Sequence, residues 1–358
     1  MATFRKIGVL TSGGDAPGMN ACIKAVVNRA LDMGIEVVGV KGGYAGLISG
    51  DLVSLSHQDV ANIVGLGGTW LQSSRCPEFM TEAGMQAAVD TCKKNNIDAL
   101  VCIGGDGTFR GATDMTRLGF PSVGLPGTID NDITATDYTI GLDTSINTTV
   151  QMIDCLRDTC ESHARLNVVE VMGRHCGQIA LYAAIASGAV GLAIPEVPFD
   201  EAATLEKIKA LRDAGKRSMI VVVSEGMTNP DGTPYSETLA KKIQAETGVE
   251  TKFARFAHIV RGGRPTMKDR TTATEMAVKA VEMLVDGKSN MVMCELDGDV
   301  VPVDINWALI ADRMYKNKLK PGDLDAFTPE QIEDMKALCD KRTKEIQRLY
   351  SVAVDVAF

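Results

Sequence analysis

Three carboxylates stand in glycine-rich text: Asp106 in GGDGT (104–108), and Asp130 and Asp132 in PGTIDND (126–132). A carboxylate in such a loop can hold a hard cation such as Mg²⁺ while substrate phosphates complete its shell. Glycines at Gly14, Gly105 and Gly107 would let backbone N–H groups approach a phosphate with no Cβ in the way. Separated cations complete the set: Arg75, Arg165, Arg174, and the trio Lys252, His258 and Arg261. Guanidinium forks match phosphate oxygens in pairs, so two anionic sites are implied. Asp130 and Asp132 are two residues apart, and an extended backbone would aim one towards a substrate hydroxyl and the other towards a metal. Each feature alone has a plainer account. A single glycine loop is turn chemistry, T-x-D-N-D text suits Asx turns and caps, and a lone arginine is usually a solvated side chain. The combination carries the weight.

The elements that must position these residues follow from apolar periodicity. β-Branched runs (KIGVLT, IEVVGV, IDALVCIGG, PSVGL) alternate with helical segments at Met19–Met33 and Thr108–Leu118. The alternation continues through a helix at Asp143–Glu161, the strand LNVVEVMG, a helix at Cys176–Ser187, the strand AVGLAIP, a helix at Glu201–Ala214, the strand RSMIVVVSEG and a helix at Ser236–Thr247. This is α/β architecture with two doubly wound, Rossmann-like domains and mainly parallel sheets. The first domain is expected over 1–141 and 256–315, and the second over 142–255, with TKFARFAHIVRGGRP leading back to the first. A helical extension, 316–358, carries Ile332, Met335, Leu338, Cys339, Ile346 and Leu349 at helical spacing, which predicts a helix docked on its own subunit. Ligands of open parallel sheets bind beyond the carboxyl ends of the strands, where all three glycine-rich loops fall.

Composition removes other classes. The 358 residues carry 37 Lys+Arg against 46 Asp+Glu, a net charge of −9, which offers no general field for nucleic acid or a membrane surface. No apolar run is long enough to span a bilayer and the N-terminus does not read as a signal peptide, so a cytoplasmic protein is expected. Nine cysteines form no C-x-x-C pair and lie mostly in apolar stretches (Cys22, Cys102, Cys155), as reduced core thiols would. Four scattered histidines make a histidine-held metal improbable. Neither G-x-x-x-x-G-K-[ST] nor a full G-x-G-x-x-G with its downstream acid occurs, which argues against a P-loop enzyme or a dehydrogenase.

The ordered segments TSGGDAPGMN (11–20), GGDGT (104–108), PGTIDND (126–132), VMGRHCG (171–177) and HIVRGG (258–263) closely resemble the ATP-dependent, bacterial-type 6-phosphofructokinases, over about residues 5 to 320. Diacylglycerol and NAD kinases share a GGDGT loop but not PGTIDND together with MGRHCG. The resemblance implies in-line transfer of the ATP γ-phosphoryl group to the 1-hydroxyl of fructose 6-phosphate, a glycolytic reaction that depends on positioning and charge neutralisation. It implies Asp130 as the base, Asp132 close by to hold the Mg²⁺ environment, and Arg75, Thr128 and Arg174 on the phosphoryl group in flight. ATP would meet Gly14, Arg75, Cys76, Asp106, Gly107, Thr108 and Gly111, with Asp106 binding the Mg²⁺ cofactor. Fructose 6-phosphate would meet Thr128, Asp130, Met172, Gly173, Arg174 and Glu225, with Arg165, Lys252, His258 and Arg261 on its 6-phosphate. Some of those cations come from a neighbouring subunit in this family, so a homotetramer is implied.

Pyrophosphate-using members resemble one another in an Asp after GGD and a Lys after the proline of the third loop; here Gly107 and Gly127 stand there, which leaves room for ATP. A pyrophosphate-dependent enzyme is the alternative. A non-catalytic sugar-phosphate or nucleotide binder is a further one, disfavoured because Asp106, Asp130, Asp132, Arg75 and Arg174 are all present. Lys252 replaces an arginine of the compact bacterial enzymes, and Arg255 is a candidate to compensate. Met80 and Met85 replace arginines near the nucleotide. At the effector pocket Lys24, Arg157 and Lys216 resemble family cations, whereas Asn28, Val190 and Ala214 replace charged groups, which implies weak control by ADP or phosphoenolpyruvate.

Overall fold

The computed structural model describes residues 4–356; residues 1–3 and 357–358, the outer ends of the expected first and last segments, lie outside the described residues. The chain forms two compact units: Met1–Ile129, Ile133–Thr144 and Arg261–Cys339 make one, and Asp130–Asp132, Ser145–Val260 and Asp340–Phe358 make the other.

In chain order the elements are β1 (Lys6–Ser12), α1 (Met19–Asp32), β2 (Glu36–Val40), α2 (Tyr44–Ser49), β3 (Leu52–Leu55), α3 (Glu82–Lys94), β4 (Ala99–Gly104), α4 (Asp106–Arg117), β5 (Ser122–Pro126), α5 (Leu142–His163), β6 (Leu166–Val171), α6 (Gln178–Ser187), β7 (Gly191–Ala193), α7 (Glu201–Asp213), β8 (Met219–Ser224), α8 (Tyr235–Thr247), β9 (Thr251–Arg255), α9 (Met267–Val285), β10 (Met291–Leu296), β11 (Asp299–Asp304), α10 (Ile305–Tyr315) and α11 (Pro329–Asp355).

The first unit is built on a seven-stranded sheet of order β11-β10-β5-β4-β1-β2-β3. Its central strands are parallel, whereas the β2–β3 and β10–β11 pairs at its two edges are antiparallel. Central strands covered on both faces must be apolar throughout, and β4 (ALVCIG) is buried at all six positions. Because β1 has β2 on one side and β4 on the other, the chain changes its direction of growth between β1 and β4. That is where a doubly wound sheet opens a crevice for ligands. Ser12 and Gly104 are paired at the ends of these two strands, so the loops that follow them emerge side by side. Helix α4 starts at Asp106, two residues before the expected Thr108, since Gly105 can take the N-cap and an acid is favoured in the first helical turn.

Phe109 of α4 is 1% exposed and sits in a core cluster with Leu100, Cys102 and Met115. It lies so close to β5 that a Cβ at Gly124 would stand 2.7 Å from its ring. Phe109→Ala is expected to lower the unfolding free energy by about 3–5 kcal/mol in urea denaturation, because packed walls on both sides prevent the cavity from closing. Cys92 and Cys102 lie in the same core, and burial pushes both thiols up to about 12, which keeps them protonated and inert. Cys155 departs from that expectation: it is exposed, because its position on α5 faces away from the apolar stripe.

The second unit has four parallel strands in the order β7-β8-β6-β9. Strands β6 and β8 are buried along their whole length and neighbour one another, so their carboxyl-end loops also lie side by side. In α11 the expected apolar stripe is turned inward: Met335 and Ile346 are buried and Ile332, Leu338, Cys339 and Leu349 are half-buried. The Trp307 indole N–H donates to the Gln331 carbonyl in the first unit, and the Tyr350 hydroxyl donates to the Leu192 carbonyl in the second.

Candidate active site

In the first unit the loops after β1 and β4 are held together by Thr108, whose hydroxyl donates to the Ser12 carbonyl at 3.1 Å while its side chain is buried. Asp106 follows the N-cap of α4 and pairs with Arg110 one turn later at 2.6 Å. A Cβ at Gly105 or Gly107 would meet nothing within 4 Å, so the mouth of α4 is open space lined by backbone. Gly14 is different, since a Cβ there would stand 2.8 Å from the guanidinium of Arg261. Arg261 is buried and its Nη1 donates to the Asp15 carbonyl at 3.2 Å, which places this cation on the loop after β1. Gly111 is missing its side chain for packing: a Cβ would meet the ring of Tyr44, whose hydroxyl donates to the Thr108 carbonyl. Arg75 is exposed, and Cys76 packs half-buried against the core.

The two glycines that bear on the donor differ from each other. Gly107 is open, whereas a Cβ at Gly127 would stand 3.0 Å from Met19 and 3.1 Å from Ile103. Only Gly107 marks free volume.

In the second unit Asp130 is 2% exposed, and its carboxylate lies 3.5 Å from the Nε of Arg174. The backbone around it is not extended: Ile129 and Asp130 form a turn and Asn131 has φ 50°, so strand alternation does not set the directions of Asp130 and Asp132. Asn131 itself is anchored, with its amide donating to Gln178 at 2.7 Å and its carbonyl 3.7 Å from the Cys176 sulfur. Behind them Glu196 accepts from the Gly177 N–H at 2.7 Å, and burial pushes its carboxyl up. Gln178 and Glu196 lie far from 126–132 in the chain, and no spacing pattern announced them.

Arg174 projects from the loop after β6. Gly173 has φ 139° there, and a Cβ on it would lie 2.3 Å from the Cys176 carbonyl, so only glycine fits. Arg174 has φ 53°, a left-handed conformation that an L side chain adopts at some strain. Glu225, from the loop after β8, fixes it by accepting from the backbone N–H groups of Gly173 (3.2 Å) and Arg174 (2.9 Å). Glu225 therefore has a backbone-holding role that sequence alone did not provide. Met172 is buried beside this loop.

Arg165 and Lys252 are brought together by Glu250, at 2.8 and 2.9 Å. Arg165 first, then Lys252, draws the Glu250 carboxyl down to about 2. His258 is exposed in the short helical turn Ala257–Arg261. Arg255 does not stand in for an arginine at 252. It is bound to the buried Glu170 at 2.6 Å and to Glu237 at 3.4 Å, on the opposite side of the strand alternation from Lys252. At the effector-like positions Lys24 donates to the Ala61 carbonyl, Arg157 donates to the Ser187 carbonyl, and Val190 is buried.

Residues 6–284 match the family model described as phosphofructokinase. The chain is 48% identical over 316 residues to ATP-dependent 6-phosphofructokinase 1 of Clostridium perfringens, covering 88% of this chain and 97% of that protein. An ATP-dependent 6-phosphofructokinase of Clostridium botulinum is 47% identical over the same shares of both chains. Among solved structures, phosphofructokinase from Saccharomyces cerevisiae superposes with a TM-score of 0.82 at 31% identity over 92% of this chain, which spans 50% of the yeast chain. A pyrophosphate-dependent phosphofructokinase from Nitrosospira multiformis shares the fold, with a TM-score of 0.77 at 21% identity over 85% of this chain and 84% of that one. With residues 6–284 matching the family model and 48% identity to a relative over most of both chains, the chain belongs to the phosphofructokinase family.

Proposed function

We propose that the protein is an ATP-dependent 6-phosphofructokinase, which transfers the ATP γ-phosphoryl group to the 1-hydroxyl of fructose 6-phosphate and forms fructose 1,6-bisphosphate in glycolysis. The observation that carries the mechanism is the pairing of Arg174 with the buried Asp130. A carboxylate withdrawn from water is a poor place to rest a charge and a good place to receive a hydroxyl proton, provided a cation stands close enough to offset its burial. Asp130 takes the proton from the sugar hydroxyl as its oxygen forms the new bond to phosphorus and the bond to the ADP oxygen breaks. Arg174 and Arg75 follow the charge on the phosphoryl oxygens. Thr128 contacts the group in flight, and Asp132 orients its surroundings.

ATP phosphates lie on the Gly14 backbone N–H and against the Gly107–Thr108 loop, where the helix N-terminus favours anions. Mg²⁺, when bound, neutralises phosphate charge. The residues fit it, because the Asp106 side chain is 33% exposed beside the open Gly105–Gly107 cradle and phosphates would supply the remaining oxygens. Met172, Gly173 and Glu225 shape the sugar site, and Arg165, Lys252, His258 and Arg261 serve its 6-phosphate, some of them from a neighbouring subunit of a homotetramer. No helix among the described residues is long and apolar enough to cross a membrane.

Donor choice rests on Gly107. Gly107→Asp would put a carboxylate into the open space at the mouth of α4. Like charges so placed repel by several kcal/mol, and kcat/KM for ATP is expected to fall by about 10²-fold. Steady-state kinetics with ATP and with pyrophosphate check this, and an unchanged ATP value would remove Gly107 from donor selection.

A further inference from the structure

Helix α9 opens with Thr266 at its N-cap and Asp269 three residues on, and the Thr266 hydroxyl accepts from the Asp269 backbone N–H. In an ordinary capping box the acid would reach back to the N-cap N–H. Here it does not. The Thr266 N–H donates instead to the Thr144 hydroxyl at 3.0 Å, and the carboxylate of Asp269, 0% exposed, turns to another part of the chain.

Both of its oxygens are engaged. Oδ1 accepts from the Tyr138 hydroxyl at 2.5 Å and from the Gly141 N–H at 2.6 Å, while Oδ2 accepts from the Thr144 N–H at 2.9 Å and from the Thr144 hydroxyl at 2.5 Å. Four donors on one buried carboxylate is the arrangement that makes burying the charge affordable. Burial first, and then the neighbouring Asp269 charge, pushes the Tyr138 phenol up, so Tyr138 remains a donor. Gly141 has φ 109°, and a Cβ there would stand 2.7 Å from that of Ala16, so the segment can turn at this point only as glycine.

The segment held this way runs beside the start of PGTIDND. Ile140 donates its N–H to the Pro126 carbonyl at 2.8 Å, Gly127 and Ile140 form a parallel bridge, and the Thr139 hydroxyl donates to the Thr128 carbonyl at 2.6 Å. All of these residues belong to the first unit. A continuous chain of hydrogen bonds thus runs from Asp269 through Tyr138–Thr144 to the backbone of Gly127 and Thr128. We infer that Asp269 is a positioning residue for phosphoryl transfer, holding Tyr138–Thr144 as the template on which the Gly127–Thr128 backbone is set. The inference rests on the kinase reading above, in which that backbone opens the catalytic loop.

The test is steady-state kinetics of Asp269→Asn with ATP and fructose 6-phosphate, run beside the wild type and Thr139→Val, with thermal unfolding of each. An asparagine keeps the shape but presents an amide to groups that are themselves donors. The expected result is a kcat lowered about 10- to 100-fold with KM for ATP within about twofold, since misplacing a reacting group affects turnover more than binding. Thr139→Val should lower kcat in the same direction, and the double variant should lose no more than the worse single one, because both break one chain of bonds. A lowered Tm with wild-type kcat in both folded variants would overturn the inference and leave Asp269 a structural staple. If Asp269→Asn does not fold, Tyr138→Phe, which removes one donor and keeps the carboxylate, decides by the same kcat-against-KM split. Wild-type turnover with unchanged variants counts against Asp269 alone, whereas a silent wild type overturns the kinase reading and the inference with it.

Discussion

Asp130→Ala is expected to lower kcat by about 10²- to 10⁴-fold, the contribution of a positioned general base, while KM for ATP changes little. The position of Asp130 supports an effect on that scale. It is 2% exposed, so water cannot replace its oxygen as a proton acceptor, and Arg174 Nε is 3.5 Å away. Asp130→Asn separates charge from shape: it preserves the volume beside the turn at Ile129–Asp130 but cannot accept a proton at neutral pH. Both variants should therefore be equally slow, and initial-rate measurements coupled to ADP release would check this. A variant that kept a tenth or more of wild-type turnover would show that another group accepts the proton.

Arg174→Ala should be the second large loss, about 10²- to 10³-fold in kcat, as expected when one charge-stabilising donor is removed from a transition state. Arg174→Lys should recover only part of it, because an ammonium cannot follow two oxygens at once. The backbone from which the guanidinium projects is fixed: φ at Arg174 is 53°, Glu225 accepts from its N–H, and a Cβ at Gly226 would lie 2.1 Å from the Arg174 carbonyl. Arg174 also neutralises Asp130, so its loss leaves a buried carboxylate without that partner. The two substitutions should be strongly non-additive, with the double variant close to Asp130→Ala alone. Full additivity in a double-mutant cycle would mean that the 3.5 Å pair does not act as a unit.

Much of the fold was legible because it rests on local pattern. Apolar runs such as ALVCIG report strands covered on both faces, and their alternation with helix-period segments gives the doubly wound sheets. Glycine-rich loops at strand ends point to a candidate site there, since the physics of helix N-termini and switch points is general. What sequence did not provide is partnership across distance. Arg255 and Lys252 look interchangeable three residues apart, but Glu170 and Glu237 claim one and Glu250 the other. Glu225 looked like a substrate contact, and the structure adds its hold on the Gly173–Arg174 backbone. Arg261 packs against Gly14 and donates to the Asp15 carbonyl, a long-range contact that spacing does not announce. Asp130 and Asp132 were placed on opposite sides by assuming extended backbone, and the left-handed Asn131 between them removes that assumption. Each case turns on a tertiary contact or a local backbone choice that spacing does not encode.

The most direct measurement is product analysis after incubating the protein with fructose 6-phosphate, Mg²⁺ and either ATP or pyrophosphate, following fructose 1,6-bisphosphate by phosphorus NMR. Stoichiometric fructose 1,6-bisphosphate and ADP are expected with ATP, and no product with pyrophosphate. Product with pyrophosphate alone would contradict the role of the open space at Gly107 in donor choice, and no product with either donor would contradict the assignment of Asp130 and Arg174 to phosphoryl transfer.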